Sequence, residues 1–173
     1  GLALAHRFAN AFPTSYREDF SAPVAAEDAD LLAGLSDAAP LAVRLYRSLD
    51  ADAGMLRFKI YNTTKVALSD SLPVLERMGA RVLYEHPYRI GRGDQARWIH
   101  DLGLQLPPTT DLATVKARFE SMFIKTWRAE VESDDLNKLV LTTTMDERAI
   151  AVLRAYTRYF KQLGLPFSQS YIE

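Results

Sequence analysis

The stretch LRFKIYNTTKVALSDSLPVLERMGARVLYEHPYRI, residues 56–90, decides the fold. Leu56, Phe58 and Ile60 alternate with Arg57, Lys59 and Tyr61, the period of two expected of a half-buried strand. Leu68, Leu72, Leu75 and Met78 then recur at intervals of three and four, so a helix of about three turns follows. Ser69 is its expected cap and Gly79 its expected stop. Pro73 removes one early backbone donor, which moves the expected start toward Ser71. From Arg81 to Ile90 the chain reads as a strand again.

Working outward, Leu41, Val43 and Leu45 alternate with Ala42, Arg44 and Tyr46, a second strand upstream. The connection SLDADAGM carries Asp50, Asp52 and Gly54, which makes an antiparallel hairpin the simplest joint. Downstream, Trp98, Leu102, Leu104 and Leu106 face one way and Arg97, Asp101 and Gln105 the other, in a strand from Ala96 to Leu106 that Pro107 and Pro108 end. A long helix follows Thr110 or Asp111, with Leu112, Val115, Phe119, Met122, Phe123 and Trp127 on its apolar face.

The order strand, strand, helix, strand, strand, helix predicts an α+β fold, a four-stranded antiparallel sheet with two helices on one face. The ferredoxin-like plan runs βαββαβ. Its last strand lies beside its first, so moving that strand to the front creates the hairpin and gives the permuted order ββαββα. Residues 40–130 are thus expected to form this domain. Residues 1–39 form a helical segment, in which Leu4, Phe8 and Ala11 share a face before Pro13, and Ser21 with Pro23 opens a second helix through Leu31, Leu32 and Leu35, interrupted by Gly34. Residues 131–173 form another. There EVESDDLNKLVL reads as a solvated acidic linker and a short helix, and the Thr144 and Glu147 capping box begins a helix through Ile150, Leu153, Tyr156 and Phe160 toward Gly164 and Pro166.

Composition narrows the function. A chain of 173 residues, 48% hydrophobic, supports one core and reads as soluble. Its net charge of -1, with both signs interspersed, gives no electrostatic case for a nucleic-acid or membrane partner. With no cysteine there is no disulfide, thiolate metal site or cysteine nucleophile, and no apolar run reaches the ~20 residues that span a bilayer. The opening GLALAHRFANAF lacks a basic n-region and reads as an internal segment of a longer chain.

No motif announces chemistry. NTTKVA has no glycine to cradle a phosphate, and GRGDQ joins two strands and precedes no helix, so it reads as a turn. His6, His86 and His100 have no metal-ligand neighbour at helical or strand spacing, and His100 is expected to be packed or hydrogen-bonded beside Trp98. Glu130, Glu132, Asp134 and Asp135 lie in one flexible run, which rarely converges on a cation. Arg57, Lys59, Tyr61 and Arg97 suggest an RNA-recognition sheet, but the RNP1 pattern is missing, so a solvated or domain-facing surface is expected.

Four segments together carry a resemblance: FPTSYREDFSAPVA at 12–25, residues 56–90, WIHDLGLQ at 98–105 and FIKTWRAEVESDDLNKLVL at 123–141. They resemble the large bacterial NAD-specific glutamate dehydrogenases, in the N-terminal region that carries ACT-like regulatory domains, and VLERMGARV looks like the helix, glycine, strand step of an ACT domain. The resemblance implies a cytoplasmic parent enzyme that oxidises L-glutamate to 2-oxoglutarate and ammonia with NAD. It implies catalytic and NAD-binding residues downstream of Glu173, so this segment carries no cofactor. It implies further that the module contacts the catalytic and other ACT-like domains of a homo-oligomeric parent. An amino-acid effector would bind at the first strand-to-helix loop, Asn62, Thr63, Thr64 and Lys65, with Met78 and Gly79 at the following step, although the loop lacks the glycine many binding members use. The alternative is a stand-alone ferredoxin-fold domain that binds or converts a small molecule with His100 and Asp101, which strand alternation points to opposite faces.

Overall fold

The four strands hydrogen-bond in the order β1-β2-β4-β3, every neighbouring pair antiparallel: β1 Leu41–Tyr46, β2 Met55–Asn62, β3 Arg81–Ile90 and β4 Arg97–Gln105. This is the order that a ferredoxin-like sheet takes when its last strand is moved to the front, so the permuted ββαββα plan holds. The computed structural model describes residues 11–47, 55–108 and 110–163. The hairpin turn with Asp50, Asp52 and Gly54, the first expected helix through Leu4 and Phe8, and the expected stop at Gly164 and Pro166 lie outside these residues.

Strand register sorts the side chains by face. Ile60 is opposite His100 and Phe58 opposite Leu102, so these share one face with Leu41, Leu45, Leu56 and Leu104. Two helices cover it, which in chain order are α3, Leu68–Arg77, and α4, Leu112–Trp127. Phe58 stands edge-on to Phe119 and Phe123, with ring centroids 5.6 and 5.0 Å apart. Burying each such ring contributes roughly 1.5–3 kcal/mol, and the edge-on geometry adds to it.

Pro73 lies inside α3, and the helix begins at Leu68 with Ala67 as its cap, three residues earlier than Ser71. The proline is tolerated because its neighbours keep their bonds: Ser71 N donates to Ala67 O at 3.3 Å, and only the donor to Ser69 is lost. The end is as read. Ala80 N donates to Leu75 O and Gly79 N to Glu76 O, the paired bonds of a Schellman ending, with Gly79 at φ +82°.

The opposite face carries Ala42, Arg44 and Tyr46 of β1, Arg57, Lys59 and Tyr61 of β2, Ile99, Asp101 and Gly103 of β4, and Tyr84, Tyr88 and Ile90 of β3. It is covered by α1, Thr14–Asp19, and α2, Ala22–Ala33. Phe12, Tyr16, Ala29, Leu32 and Leu35 pack there on Tyr61, Tyr88, Ile90 and Ile99. The sheet is therefore the middle of three layers. α1 was missed in the sequence because Pro13, read as a stop, is the residue from which a new helix starts.

The C-terminal segment extends the first core. A 3₁₀ turn, Asp135–Lys138, leads into α5, Leu139–Thr142, and α6 follows at Glu147–Gln162. Leu136, Val140, Leu141 and Ile150 are buried against α3 and α4. α6 starts two residues beyond the expected capping box. Its cap is Asp146, whose carboxylate accepts from Ala149 N at 2.8 Å, while Glu147 turns to Lys125.

Gly79 is where sheet domain and C-terminal segment meet. A Cβ there would come within 3.3 Å of both Leu141 and Lys138. Gly79→Ala is expected to cost about 1–2 kcal/mol from the left-handed backbone alone, and more if the two neighbours cannot yield. Urea unfolding checks this, and a loss under about 0.5 kcal/mol would contradict it.

Candidate functional site

The loop Asn62–Lys65 connects β2 to α3 and is closed on itself. Asn62 is buried, and its Oδ1 accepts from Thr64 N at 3.0 Å, an Asx turn, while Thr63 N donates to Pro40 O at 3.1 Å. The Lys65 ammonium stands 5.5 Å from the Trp98 ring centroid. Val66 N donates to His100 Nε2 at 3.1 Å, which leaves the ring proton on Nδ1, facing Glu85 Oε1 at 2.5 Å. His100 is 2% exposed, a hydrogen-bonded core histidine as expected, and it stacks on Trp98.

The six residues of the expected effector site do not gather. Asn62, Thr63, Thr64 and Lys65 lie at the start of α3. Met78, fully buried, and Gly79, packed on Lys138 and Leu141, lie at its far end. Ten helical residues separate the two groups by ~15 Å. His100 and Asp101 likewise point to opposite faces, as strand alternation requires.

The densest set of ionisable groups lies elsewhere, between the sheet and α2. Asp28 is wholly buried and takes three donors: the Lys59 ammonium and the Tyr16 hydroxyl on Oδ2, and the Tyr61 hydroxyl on Oδ1 at 2.7 Å. Lys59 is 0% exposed, with its ammonium 3.6 Å from the Phe20 ring centroid. At the margin, Arg44 pairs with Glu27 and approaches Asp28 at 3.9 Å, and Arg57 donates to Asp101 at 3.2 Å. Of the two alternatives expected for this surface, solvated or domain-facing, the solvated one fails at Lys59 and Tyr61, which are buried beneath the N-terminal helices. The alternating polar residues mark a face, and here that face meets helices of the same chain.

Burial governs the protonation of this cluster. It pulls the Lys59 ammonium below the ordinary lysine value, against the pull of Asp28. It pushes the Tyr16 and Tyr61 phenols up, and the charge of Asp28 pushes them further. Burial likewise raises Asp101, with Arg57 opposing, and raises Tyr46, with Asp101 adding to it.

A second polar knot corrects the solvated reading of EVESDD. Arg154, 5% exposed on α6, grips Asp134 with Nε to Oδ2 at 2.5 Å and Nη2 to Oδ1 at 2.9 Å, and donates to Asn137 Oδ1 at 2.8 Å. Asn137 donates in turn to Glu132 O at 2.9 Å, and Arg77 of α3 donates to Ser133 O at 3.0 Å. Glu130, Glu132 and Asp135 do face solvent. Sequence reasoning missed the knot because Arg154 lies 20 residues from Asp134. Asp28 gave a fainter signal, an acid one helical turn before Leu32 on the buried side of α2.

At the centre of each knot the groups satisfy one another, an arrangement suited to holding layers together, while at the margin of the first Asp101 Oδ1 and Arg57 Nε are buried without a hydrogen-bond partner among the described residues. Among the described residues no group of three or more His, Cys, Asp or Glu could hold a metal ion, and no helix is long and apolar enough to cross a membrane. GRGDQ forms a strand-to-strand turn with one 3₁₀ step, Gly93–Gln95.

Asp28→Asn leaves the Lys59 charge buried without its counter-ion and is expected to cost about 3–5 kcal/mol, part of which Lys59→Met in the same chain restores. Denaturant unfolding of the two variants checks this. The pH dependence follows from the shifts. Folded Tyr16 and Tyr61 keep protons that the unfolded chain releases near pH ~10, so their contribution is lost as pH rises above that value. Lys59 acts oppositely, favouring the folded state as pH rises, up to the unfolded lysine value of ~10.4. Beyond about pH 10.5 the tyrosines act alone, and stability should fall by ~1.4 kcal/mol per pH unit for each. Tyr61→Phe should reduce that slope, measured with phenolate absorbance as a second probe.

Three family descriptions match successive stretches of the chain. Residues 1–35 match the family described as glutamate dehydrogenase, helical motif 2; residues 40–117 match glutamate dehydrogenase, ACT3 domain; and residues 131–173 match glutamate dehydrogenase, helical motif 3. The NAD-specific glutamate dehydrogenase of Halomonas elongata is 38% identical over 172 residues, 98% of this chain and 11% of that protein. That of Pseudomonas aeruginosa is 37% identical over 169 residues, 95% of this chain and 10% of that protein. That of Mycobacterium tuberculosis is 32% identical over 182 residues, all of this chain and 11% of that protein. The chain thus spans about a tenth of the length of the curated relatives it matches.

Proposed function

The chain belongs to the glutamate dehydrogenase family, and on that premise we propose that it is a non-catalytic regulatory and assembly module of an NAD-dependent enzyme. The whole polypeptide would oxidise L-glutamate to 2-oxoglutarate and ammonia, with glutamate chemistry and NAD binding carried by other parts. The observation that carries this reading is that both faces of the ACT sheet are occupied by helices of the same chain, one through an apolar core and the other through the Asp28 knot. A sheet so enclosed presents edges, loops and outer helix faces to its surroundings. These suit contact with the other domains and subunits of a homo-oligomer better than a substrate pocket.

The loop Asn62–Lys65 remains the proposed place for an amino-acid effector. It adjoins buried His100, which is bonded to the half-buried Glu85, and the start of α3, so a ligand there would act on a helix end directly. The alternative of a stand-alone enzyme is disfavoured by the opposed directions of His100 and Asp101.

Thermal melting with saturating NAD, L-glutamate, 2-oxoglutarate and the common amino acids tests the reading. NAD should leave the melting temperature unchanged, and the chain should reduce no NAD when glutamate is supplied. An amino acid at about 100 times its dissociation constant should stabilise by ~2.7 kcal/mol, and Thr64→Ala with Lys65→Ala should abolish that gain. Stabilisation by NAD would overturn the placement of the cofactor elsewhere, and silence from every amino acid would remove sensing from the proposal.

A further inference from the structure

Where the N-terminal helices meet one end of the sheet, the chain leaves a cavity of about 160 Å³. Ile90 and Arg97 are opposite each other in the ladder of β3 and β4, so their side chains share the face that α1 and α2 cover. Leu32 of α2 and Ala11 line the cavity with them, and Gly91 N donates to Ala11 O at 3.0 Å, which closes one wall with backbone. Leu32 and Ile90 are buried, so the floor is apolar. The rim is polar. Arg92 and Gln95 stand on the exposed turn between β3 and β4, and Arg97 is half-buried at the start of β4.

Residues 89–97 carry three arginines and one acid, Asp94. The ion pairs of arginine among the described residues involve none of these three. Arg97 Nη1 donates to the carbonyls of Gln95 and Ala96 at 3.4 and 3.3 Å, and Arg89 to that of Gly93 at 3.4 Å. These bonds hold the guanidinium groups against the turn, but a carbonyl does not neutralise a charge. The carbonyls that end α2 are taken by Gly34 N and Leu35 N, so that helix does not call on the arginines as caps.

Size and lining select the ligand. The cavity is well under the roughly 300–1,000 Å³ of ordinary ligand pockets, which is too small for a nucleotide or a dinucleotide. Its apolar floor offers inorganic phosphate no donors and suits a short carbon chain. A guanidinium takes a carboxylate through two parallel N–H bonds, and two guanidinium groups stand at the rim. Among the described residues no carboxylate lines the cavity, so an α-ammonium would find no acceptor of opposite charge.

We propose that this cavity binds a small aliphatic dicarboxylate without an amino group, Arg92 and Arg97 each holding one carboxylate and the carbon chain lying on Leu32 and Ile90. The proposal rests on the reading of the chain as a glutamate dehydrogenase module, which makes 2-oxoglutarate, the product of the whole polypeptide, the dicarboxylate it would meet. The site is distinct from the loop Asn62–Lys65, which leads into α3 on the other face of the sheet. Leu32 belongs to the N-terminal helices and the arginines to the sheet, so the ligand would fasten one layer to the other.

Titration calorimetry of the 173-residue chain tests this, at constant ionic strength and at two temperatures, with 2-oxoglutarate, succinate, L-glutamate and inorganic phosphate as probes. The two dicarboxylates without an amino group should bind more tightly than glutamate or phosphate by about tenfold or more. Arg92→Gln and Gln95→Glu, both on the exposed turn, should each weaken 2-oxoglutarate by about tenfold or more and leave the melting temperature unchanged. Arg97→Lys keeps the charge, loses the fork and should weaken binding as well. No heat from either dicarboxylate at either temperature, or binding that both turn variants leave intact, would overturn the site. Phosphate held as tightly as succinate would overturn the dicarboxylate in favour of a simple oxyanion cradle, and glutamate held as tightly as 2-oxoglutarate would overturn the selection against an amino group. Thr64→Ala with Lys65→Ala should leave the titration unchanged, and loss of binding there would move the ligand to the loop and sink the cavity. Dicarboxylate binding by a chain that NAD also stabilises would sink the functional reading alone, and silence from both dicarboxylates with NAD inert would sink the cavity alone.

Discussion

A lysine with no solvent exposure, salt-bridged to an aspartate with none, is the constraint on which the layered structure depends. Moving either charge out of water alone costs several kcal/mol, and their attraction offsets this only when the remaining donors and acceptors are also satisfied. Here they are: Tyr16 and Tyr61 complete the carboxylate of Asp28, and the Phe20 ring lies against the ammonium of Lys59. Such a knot adds little net stability compared with an apolar contact of the same size. What it fixes is position, because α2 shifted by one turn would leave Lys59 buried against nothing. The helical segment and the sheet are thus held in one register, and separating them requires rehydrating both charges.

The two sides of the sheet are held by different physics. On one, Phe58 between Phe119 and Phe123 contributes by area and shape, which tolerate small adjustments. On the other, charges and hydroxyls contribute by direction, which tolerates little. The edges differ too. The carboxylate of Glu120 accepts from Leu45 N at 2.6 Å, so the outer strand β1 has one of its amides satisfied by α4 instead of by another strand.

The sequence was informative where periodicity carries the signal. Alternation in residues 41–46, 56–61 and 97–105 identified three strands and their faces, and moving one strand of a known plan to the front explained the hairpin, but the exact strand order was not legible and comes from the structure. Alternation says which residues share a face but not what covers it, so Lys59 and Tyr61 could be assigned to a side and not to Asp28, 31 and 33 residues away. The same limit hid the Arg154 knot, where EVESDD has the composition of a solvated linker and its partner lies on the next helix. Local signals failed where two competed. Thr144 and Asp146 both offer a cap, and Asp146 takes the role, accepting from Ala149 N. Pro13 ends one segment and opens another. The candidate effector loop was legible as a loop, but the bond from Val66 at its end to His100 was not.

α3 joins the features on which the proposed regulation would depend. At its start, Val66 ties the candidate effector loop to His100, and at its end Gly79 leaves only van der Waals clearance to Lys138 and Leu141. Beyond these lie the Asp134 knot and α6, with Arg77 of α3 bonded to Ser133 in the same knot. A packed helix moves as a body, because the side chains around it interdigitate and cannot absorb a displacement continuously. A ligand that displaced the loop would therefore be felt ~15 Å away at Gly79 and at the base of α6. Regulation through this path requires that the ligand bind one position of α3 better than another, since a ligand indifferent to the two shifts nothing. The tight seating of Gly79 makes the two positions distinguishable: any movement of the helix end has to be answered by Lys138 and Leu141, and through them by α6.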